Sequence, residues 1–236
     1  MPEPAPTPVD ELQRRLGYAF RDPAILARAL THPSWIQDNA PGGESNQRLE
    51  FLGDAVLQFV VTRTLFSLFP ADREGPLTRR RAILTKGSFL VGLAREIGLD
   101  GCLRLGAAEE ASGGRAKAAA LEDAFEALVG AVFLDGDLAT AERVVLGLYG
   151  DLATRLAGAG EEDNPKGLLQ ELVQPGHGNQ ALRYEVVATT GSDHAREYEV
   201  AVFLNDRRLG GGRGPSKRIA EEQAAREALA ALRKTI

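Results

Sequence analysis

Two pairs of acidic residues lie inside otherwise apolar stretches of this 236-residue chain. Glu50 and Asp54 are four residues apart in NQRLEFLGDAVLQFVV, and Asp123 and Glu126 are three apart in AALEDAFEALVGAVFLD. On a helix, these spacings place both members of each pair on one face. Like charges so placed repel each other by roughly 0.2–0.5 kcal/mol on an exposed helix, and by more once water is partly excluded. Either something offsets this repulsion, or each pair simply lies on a solvated face.

A divalent cation would offset the repulsion. Mg²⁺ prefers carboxylate oxygens and water in octahedral geometry, so two facing helices could direct four carboxylates at one ion. Spacing alone leaves the solvated alternative open. The sequence suggests no zinc site, because His32, His177 and His194 lack metal-ligand spacing and Cys102 is the single cysteine. We expect Cys102 to be a small buried hydrophobe in a reducing environment.

The segments that carry the acids have the pattern of helices. At 100° per residue, one stripe under about 90° wide contains the polar residues Gln47, Glu50, Asp54 and Gln58. Apolar residues cover most of the remaining surface, so we expect this helix to be buried against its own domain and against a second copy of the chain. Asp22-Pro23 and Pro76 mark further helix starts, and strand-like alternation is hard to find before residue 180.

Residues 164–236 follow a different pattern. NPKGLLQELV predicts a short amphipathic helix, LRYEVVATT and REYEVAVFLN alternate with the period of strands, RRLGGG adds a short third strand, and SKRIAEEQAAREALAALRK predicts a final helix. The result is an α-β-β-β-α module. In GGGRGPSKR, the free N–H groups at the start of the last helix, with Lys217 and Arg218, are expected to bind phosphate. Alternatively, the glycines only permit a tight turn and the two charges are solvated.

Charge also separates two parts of the chain. Residues 1–163 contain 17 Lys and Arg against 24 Asp and Glu, whereas residues 164–236 contain 11 against 9. The small, acidic stretch at 157–163 suits an exposed joint. We therefore expect a helical domain at 1–158, a linker at 159–163 and the α+β module at 164–236. No signal peptide or membrane span is expected, which favours a cytoplasmic protein.

The motifs together resemble the ribonuclease III family. NQRLEFLGDAVL resembles the family's signature helix, and LEDAFEALVGAVFLD resembles its second acidic helix. LGYAFRDPAILARALTHPSW and EGPLTRRRAIL fit the same pattern, and residues 164–236 resemble the double-stranded RNA-binding domain that follows in bacterial members. The resemblance implies an all-α endonuclease domain followed by a small α+β RNA-binding domain.

The resemblance also implies an activity and its residues. A homodimer would cut both strands of duplex RNA, leaving 5′-phosphate and 3′-hydroxyl ends with short 3′ overhangs, in ribosomal and messenger RNA processing. The family's metal ligands fall on Glu50, Asp54, Asp123 and Glu126, with Asp54 and Glu126 catalytic. The cofactor would be Mg²⁺, which Mn²⁺ can replace, and neither a small-molecule cofactor nor a membrane is implied.

Family contacts with RNA fall on residues in three places of the module. The helix, the loop after the first strand and the start of the last helix contribute Gln170, Glu171, Ser192, His194, Lys217 and Arg218. Such contacts read the shape of A-form RNA rather than its sequence. Arg79, Arg80 and Arg81 are weaker candidates, and we assign Trp35 and His32 to packing.

Three positions depart from the family pattern, namely Gln47, Glu122 and Ile219. Gln47 replaces a frequent glutamate, Ile219 a frequent basic residue, and the role of Glu122 is not evident. Two other functions stay open: an RNA-binding protein that does not cleave, and an all-α phosphohydrolase acting on nucleotides. The first would be expected to have lost a metal carboxylate, and the second would have no use for residues 164–236.

Overall fold

The structure is a computed structural model that describes residues 6–156, 165–178, 181–191 and 196–233. Contacts divide the chain into two compact units, Met1–Leu152 and Ala153–Ile236. The first unit is helical, and the second contains a three-stranded sheet with two helices. The fold class expected from the sequence is confirmed.

The regular secondary structure in the described part of the first unit consists of α-helices and two short 3-10 turns. In chain order the α-helices are α1 Pro8–Leu16, α2 Pro23–Ala29, α3 Pro33–Asn39, α4 Gln47–Leu68, α5 Glu74–Leu84, α6 Gly87–Glu96, α7 Ala107–Ala111, α8 Ala118–Asp135 and α9 Leu138–Tyr149. The 3-10 turns are Leu99–Cys102 and Gly114–Ala116. The single pairing of extended backbone is an isolated bridge between Thr31 and Arg104, within the described residues of this unit.

Side-chain caps fix several helix starts. The Asp22 carboxylate accepts a hydrogen bond from the Ala24 N–H, and Pro23 opens α2 as the sequence predicts. The sequence predicts that Pro76 opens a helix. α5 instead begins at Glu74, two residues earlier, so the proline lies in the first turn of the helix. It is tolerated there because first-turn N–H groups have no partner within the helix.

The core of the first unit is built around α4 and α8. α8 buries ten of its residues, among them Phe125 and Leu128, and α4 buries seven, among them Leu57 and Val60. α4 is long and apolar enough to cross a membrane by length and composition, and 33% of its most apolar window is buried. A core helix of a soluble protein meets the same criteria, so this finding alone is weak evidence of a membrane span.

The second unit is an antiparallel sheet covered by two helices on one face. Its elements are α10 Pro165–His177, β1 Leu182–Thr190, β2 Glu197–Leu204, β3 Arg207–Gly214 and α11 Lys217–Arg233, with strand order β1-β2-β3. Val186 pairs with Val200, and Val202 with Gly210. The core contains Leu169 from α10, inward valines of β2 and alanines of α11, as the sequence pattern predicts.

Candidate functional site

The two acidic helices cross at a pair of glycines. A Cβ added to Gly53 on α4 would overlap the backbone carbonyl of Glu126 on α8, and one added to Gly130 would overlap the carbonyl of Leu49. Packed helices usually lie about 8–10 Å apart, at a distance set by the side chains between them. At this crossing the two glycines place no side chain between the helices. The main chains of α4 and α8 therefore touch at the point where both helices carry their carboxylates.

This crossing brings the four predicted carboxylates into one electrostatic group. All four side chains are half-buried. Burial, and then the charges of Asp54, Glu122, Glu50 and Asp123, raise the pKa of Glu126 to about 8. Burial and the charges of Asp123, Asp54 and Glu122 also raise the pKa of Glu50. Burial also raises the pKa of Asp123, although the charge of His32 lowers it in part. The carboxylates thus repel one another in a partly desolvated space, where a cation would stabilise their ionised forms.

The chemistry of this donor set fits a hard divalent cation. Carboxylate oxygens are the preferred ligands of Mg²⁺, which keeps several waters and needs few protein donors. In the described part of the chain, however, no three His, Cys, Asp or Glu side chains are arranged as metal ligands. The Asp54 carboxylate instead accepts a 3.4 Å hydrogen bond from Gln58. The donors fit Mg²⁺ in type and charge, and side-chain rotation would be needed to converge them.

Two residues that were not predicted as part of the site also act on it. The carboxylate of Glu122 lies against Gly87 at the start of α6, where a Cβ would overlap it, and its charge contributes to the raised pKa of both Glu50 and Glu126. His32, which we assigned to packing, interacts electrostatically with Asp123. Gly53 and Gly130 were likewise not named as site residues, although glycine beside an acidic pair in both helices was a visible signal.

Two arginines of α5, Arg80 and Arg81, bind other side chains of the same unit. Arg80 forms a 2.8 Å ion pair with Asp72 and lies over the Phe69 ring, 4.0 Å from its centroid. Arg81 donates a 3.4 Å hydrogen bond to Thr62. Trp35 is stacked on Arg104, whose guanidinium carbon lies 3.7 Å from the ring centroid. Arg80 therefore has a structural role that reduces its availability to a phosphate.

The predicted RNA-binding residues are distributed over the second unit. Gln170 is half-buried on α10, and Glu171 lies on the same helix. Ser192 and His194 lie outside the described residues. Lys217 and Arg218 begin α11 and are exposed, and Arg218 forms a 3.1 Å ion pair with Glu222 one turn later.

The glycine-rich segment before α11 is mostly strand. β3 extends through Gly214, so only Pro215 and Ser216 connect it to the helix, and the expected loop is shorter than the sequence indicated. A Cβ on Gly212 would overlap the Ala220 carbonyl, and one on Gly210 would lie 2.7 Å from the Ala224 carbonyl. These two glycines allow α11 to pack directly on β3, which neither the phosphate-loop nor the tight-turn interpretation anticipated.

Comparisons with known proteins agree with this arrangement. Residues 22–151 match the family model described as ribonuclease-III-like, and residues 165–232 match the double-stranded RNA binding motif. Proteins named ribonuclease 3 are similar over nearly the whole chain. The one from Nitratidesulfovibrio vulgaris is 42% identical over 227 residues, covering 96% of this chain and 89% of the relative. The one from Pseudomonas putida is 45% identical over 224 residues, covering 94% of each chain.

A solved structure is similar to the first unit. The nuclease domain of ribonuclease III from Campylobacter jejuni is 38% identical, with a TM-score of 0.56, and the match covers 59% of this chain and 94% of that one. A second structure of the same domain is 36% identical with the same TM-score and covers 62% and 95%. The chain therefore belongs to the ribonuclease III family of endoribonucleases, with a double-stranded RNA binding motif after its nuclease domain.

Proposed function

We propose that the chain is a Mg²⁺-dependent endoribonuclease that cleaves both strands of double-stranded RNA as a homodimer. The observation that carries this proposal is the glycine crossing of α4 and α8, which groups Glu50, Asp54, Asp123 and Glu126. A protein that only bound RNA would have no need to hold four mutually repelling carboxylates together. The RNA binding motif at 165–232 supports duplex RNA as the substrate.

Within this proposal the four carboxylates hold the metal, with Asp54 and Glu126 catalytic. Bound Mg²⁺, or Mn²⁺ in its place, supplies positive charge that neutralises the phosphate oxygens and the leaving 3′ oxygen. Glu126 must lose its proton before it can serve as an anionic ligand, because its pKa is about 8 in the metal-free chain. The Asp54 carboxylate accepts the hydrogen bond from Gln58 through one oxygen, and its other oxygen would be available to the metal. The products would carry 5′-phosphate and 3′-hydroxyl ends with short 3′ overhangs.

An exposed apolar stripe supports the homodimer. Phe51, Phe59 and Phe66 lie on one side of α4 and are 82%, 51% and 72% exposed. Exposed aromatic residues at helical spacing on a core helix are typical of an interface. One of the Campylobacter jejuni structures is described in terms of a region involved in dimer formation of the nuclease domain. A dimer would supply one set of carboxylates for each RNA strand.

The second unit would hold the duplex. Gln170, Glu171, Ser192 and His194 would approach successive minor grooves, and Lys217 and Arg218 the phosphates between them. We place the nuclease domain at 1–158, the linker at 159–163 and the binding domain at 164–236. Ribosomal and messenger RNA precursors are the proposed substrates, in the cytoplasm, without a small-molecule cofactor or a membrane.

Incubation of the purified chain with a long RNA duplex tests this function. Cleavage in Mg²⁺ or Mn²⁺, and none in a chelator, is the expected result, with single-stranded RNA of the same sequence as the control. Duplex binding without cleavage under every metal condition would favour the alternative of an RNA-binding protein that does not cleave. Hydrolysis of mononucleotides in place of the duplex would favour the phosphohydrolase.

A further inference from the structure

An ion pair joins the two helices of the second unit. The Lys166 ammonium on α10 donates to the Glu221 carboxylate on α11, 55 residues later in the chain. The two side chains are 38% and 26% exposed, so the pair is partly shielded from water. Solvent screening makes fully exposed ion pairs weak, and this screening is reduced here. The pair therefore links the first turn of α10 to α11.

The aromatic ring of Tyr184 lies beside this ion pair. Tyr184 is on β1, where it pairs with Val202 of β2, and it packs against the core that the two helices cover. The Lys166 Nζ lies 4.7 Å from the centroid of the ring, within the range of a cation–π contact. Burial, and then the charge of Glu221, raise the pKa of Tyr184 to about 12. α10, β1 and α11 therefore meet at this point, and the ring excludes water from one side of the ammonium.

The two helices are attached to the sheet in different ways. A Cβ on Gly212 would overlap the Ala220 carbonyl, so the backbone of α11 rests directly on β3. α10 contacts the core through side chains such as that of Leu169. Main-chain contact leaves less room for adjustment than contact through side chains. The ion pair of Lys166 with Glu221 thus joins the first turn of α10 to a helix whose own position is fixed.

The ion pair lies one helical turn from a predicted RNA contact on each helix. Lys166 and Gln170 are four residues apart on α10, and Lys217 and Glu221 are four apart on α11, so each two share a face. Gln170 is expected to approach a minor groove, and Lys217 the phosphates across the adjacent major groove. In A-form RNA the major groove is deep and narrow and the minor groove is wide. The distance between these two contacts therefore depends on the form of the duplex.

We propose that Lys166 and Glu221 are positioning residues for duplex recognition, whose ion pair holds α10 at the distance from the start of α11 that A-form RNA requires. The inference rests on the proposed function, since it takes duplex RNA as the ligand and Gln170 and Lys217 as its contacts. Neither member of the pair needs to touch the RNA. Electrostatics alone makes the opposite prediction for Glu221, because loss of an acidic side chain near a polyanion should tighten binding.

Three variants and one control test the pair. Lys166→Met, Glu221→Gln and the double variant are compared with Glu222→Gln, which removes the neighbouring acid of α11 and its 3.1 Å ion pair with Arg218. The measurement is the affinity of the full chain for a labelled RNA duplex of about 20 base pairs, longer than the roughly 16 that one such domain spans. A chelator prevents cleavage, and thermal unfolding recorded in parallel shows that each variant is folded at the assay temperature.

The sign of the effect at Glu221 decides between positioning and plain electrostatics. We expect Lys166→Met and Glu221→Gln each to weaken duplex affinity by about fivefold, and the double variant to lose no more than either, because both substitutions break the same pair. Glu222→Gln should bind at least as tightly as the unmodified chain. If the charges act independently, Glu221→Gln binds more tightly and the double variant is nearly unchanged. That result, or unchanged affinity in Glu221→Gln, would overturn the inference.

A DNA duplex of the same sequence distinguishes altered spacing from a general loss of structure. The unmodified chain should prefer the RNA, and Glu221→Gln should lose more affinity for RNA than for DNA, so that this preference falls. A unit that is only destabilised would lose affinity for both duplexes in the same proportion, which would overturn the inference. If the unmodified chain does not bind the RNA duplex, the proposed function is wrong and the inference fails with it. If the chain binds and the variants bind equally well, only the role of the ion pair is wrong.

Discussion

The backbone carbonyl oxygen of Glu126 lies directly against the Cα of Gly53. The reciprocal contact places the Leu49 carbonyl against Gly130, so α4 and α8 meet main chain to main chain. The position of the four carboxylates is therefore set by the backbones of the two helices, with no intervening side chain that could adapt. Any atom added at this crossing should separate the two acidic pairs.

The first prediction concerns this crossing. Gly53→Ala should lower the free energy of unfolding by about 1–3 kcal/mol or more, because the new methyl group overlaps the Glu126 carbonyl and the helices must move apart. Chemical denaturation measures the change. Gly92→Ala on α6 is the matched control, since nothing lies within 4 Å of a Cβ there. That variant should be neutral or more stable by about 0.5–1 kcal/mol. Equal effects at both positions would contradict the close crossing.

The second prediction concerns pH. Burial and neighbouring carboxylates raise the pKa of Glu126 from 4.5 to about 8 in the metal-free chain. Between these values the folded state holds a proton that the unfolded state has released, so the contribution of Glu126 to stability falls as pH rises and is constant above about 8. The same proton must leave when metal binds, so metal affinity should rise with pH over this range.

Thermal unfolding of the metal-free chain at about pH 6 and about pH 9 measures this effect. Glu126→Gln should reduce the loss of stability between the two conditions, because the amide does not titrate. Glu110→Gln on α7 is the control, since Glu110 is not among the charges that act on Glu126. The prediction is wrong if Glu126→Gln and the unmodified chain lose the same amount.

Much of the fold could be predicted because its signals are local. Asp22-Pro23 marks a helix start, and the alternation from Tyr198 to Leu204 marks β2, whatever the remainder of the chain does. The third strand was predicted too short, because glycines lack the side chains that indicate a strand. Their task, to let Ala220 and Ala224 approach, depends on a helix later in the chain.

The candidate site, like the fold, could be predicted only where its signals are local in the sequence. The two acidic pairs are visible as spacings, but the contact of Glu122 with Gly87 and the electrostatic effect of His32 on Asp123 join residues far apart in sequence. A histidine before Ser34 is consistent with a helix cap, which it is. Whether the four carboxylates bind metal remains a prediction.

The third prediction concerns the dimer. Because Phe51 is 82% exposed, Phe51→Ala should leave the single subunit nearly as stable as the unmodified one. The same substitution should weaken a dimer that buries this side chain. Light scattering on residues 1–158 at micromolar concentration measures the mass. Leu134→Ala is the control, a 50% exposed apolar side chain on α8. A monomeric unmodified fragment would contradict the two-site, two-strand mechanism.

The fourth prediction concerns salt. Residues 1–163 carry a net charge of −7 and residues 164–236 one of +2, so most duplex affinity at moderate salt should come from the second unit. Replacing Lys217 and Arg218 together by Ala removes about two phosphate contacts and should flatten the dependence of log affinity on log salt by about two. Arg207→Ala, at the other end of β3, is the control and should leave this slope nearly unchanged. Equal slopes for all forms would mean that another surface holds the RNA.

The most direct test of the central claim, that the carboxylates at the α4–α8 crossing cut duplex RNA, uses Glu126→Gln. The substitution keeps the size of the side chain and removes one anionic ligand, while the RNA binding motif at 165–232 is untouched. Cleavage of a long RNA duplex at saturating Mg²⁺ is measured beside duplex binding. We expect Glu126→Gln to bind the duplex as tightly as the unmodified chain and to leave it intact. Near-normal cleavage by this variant would contradict the claim.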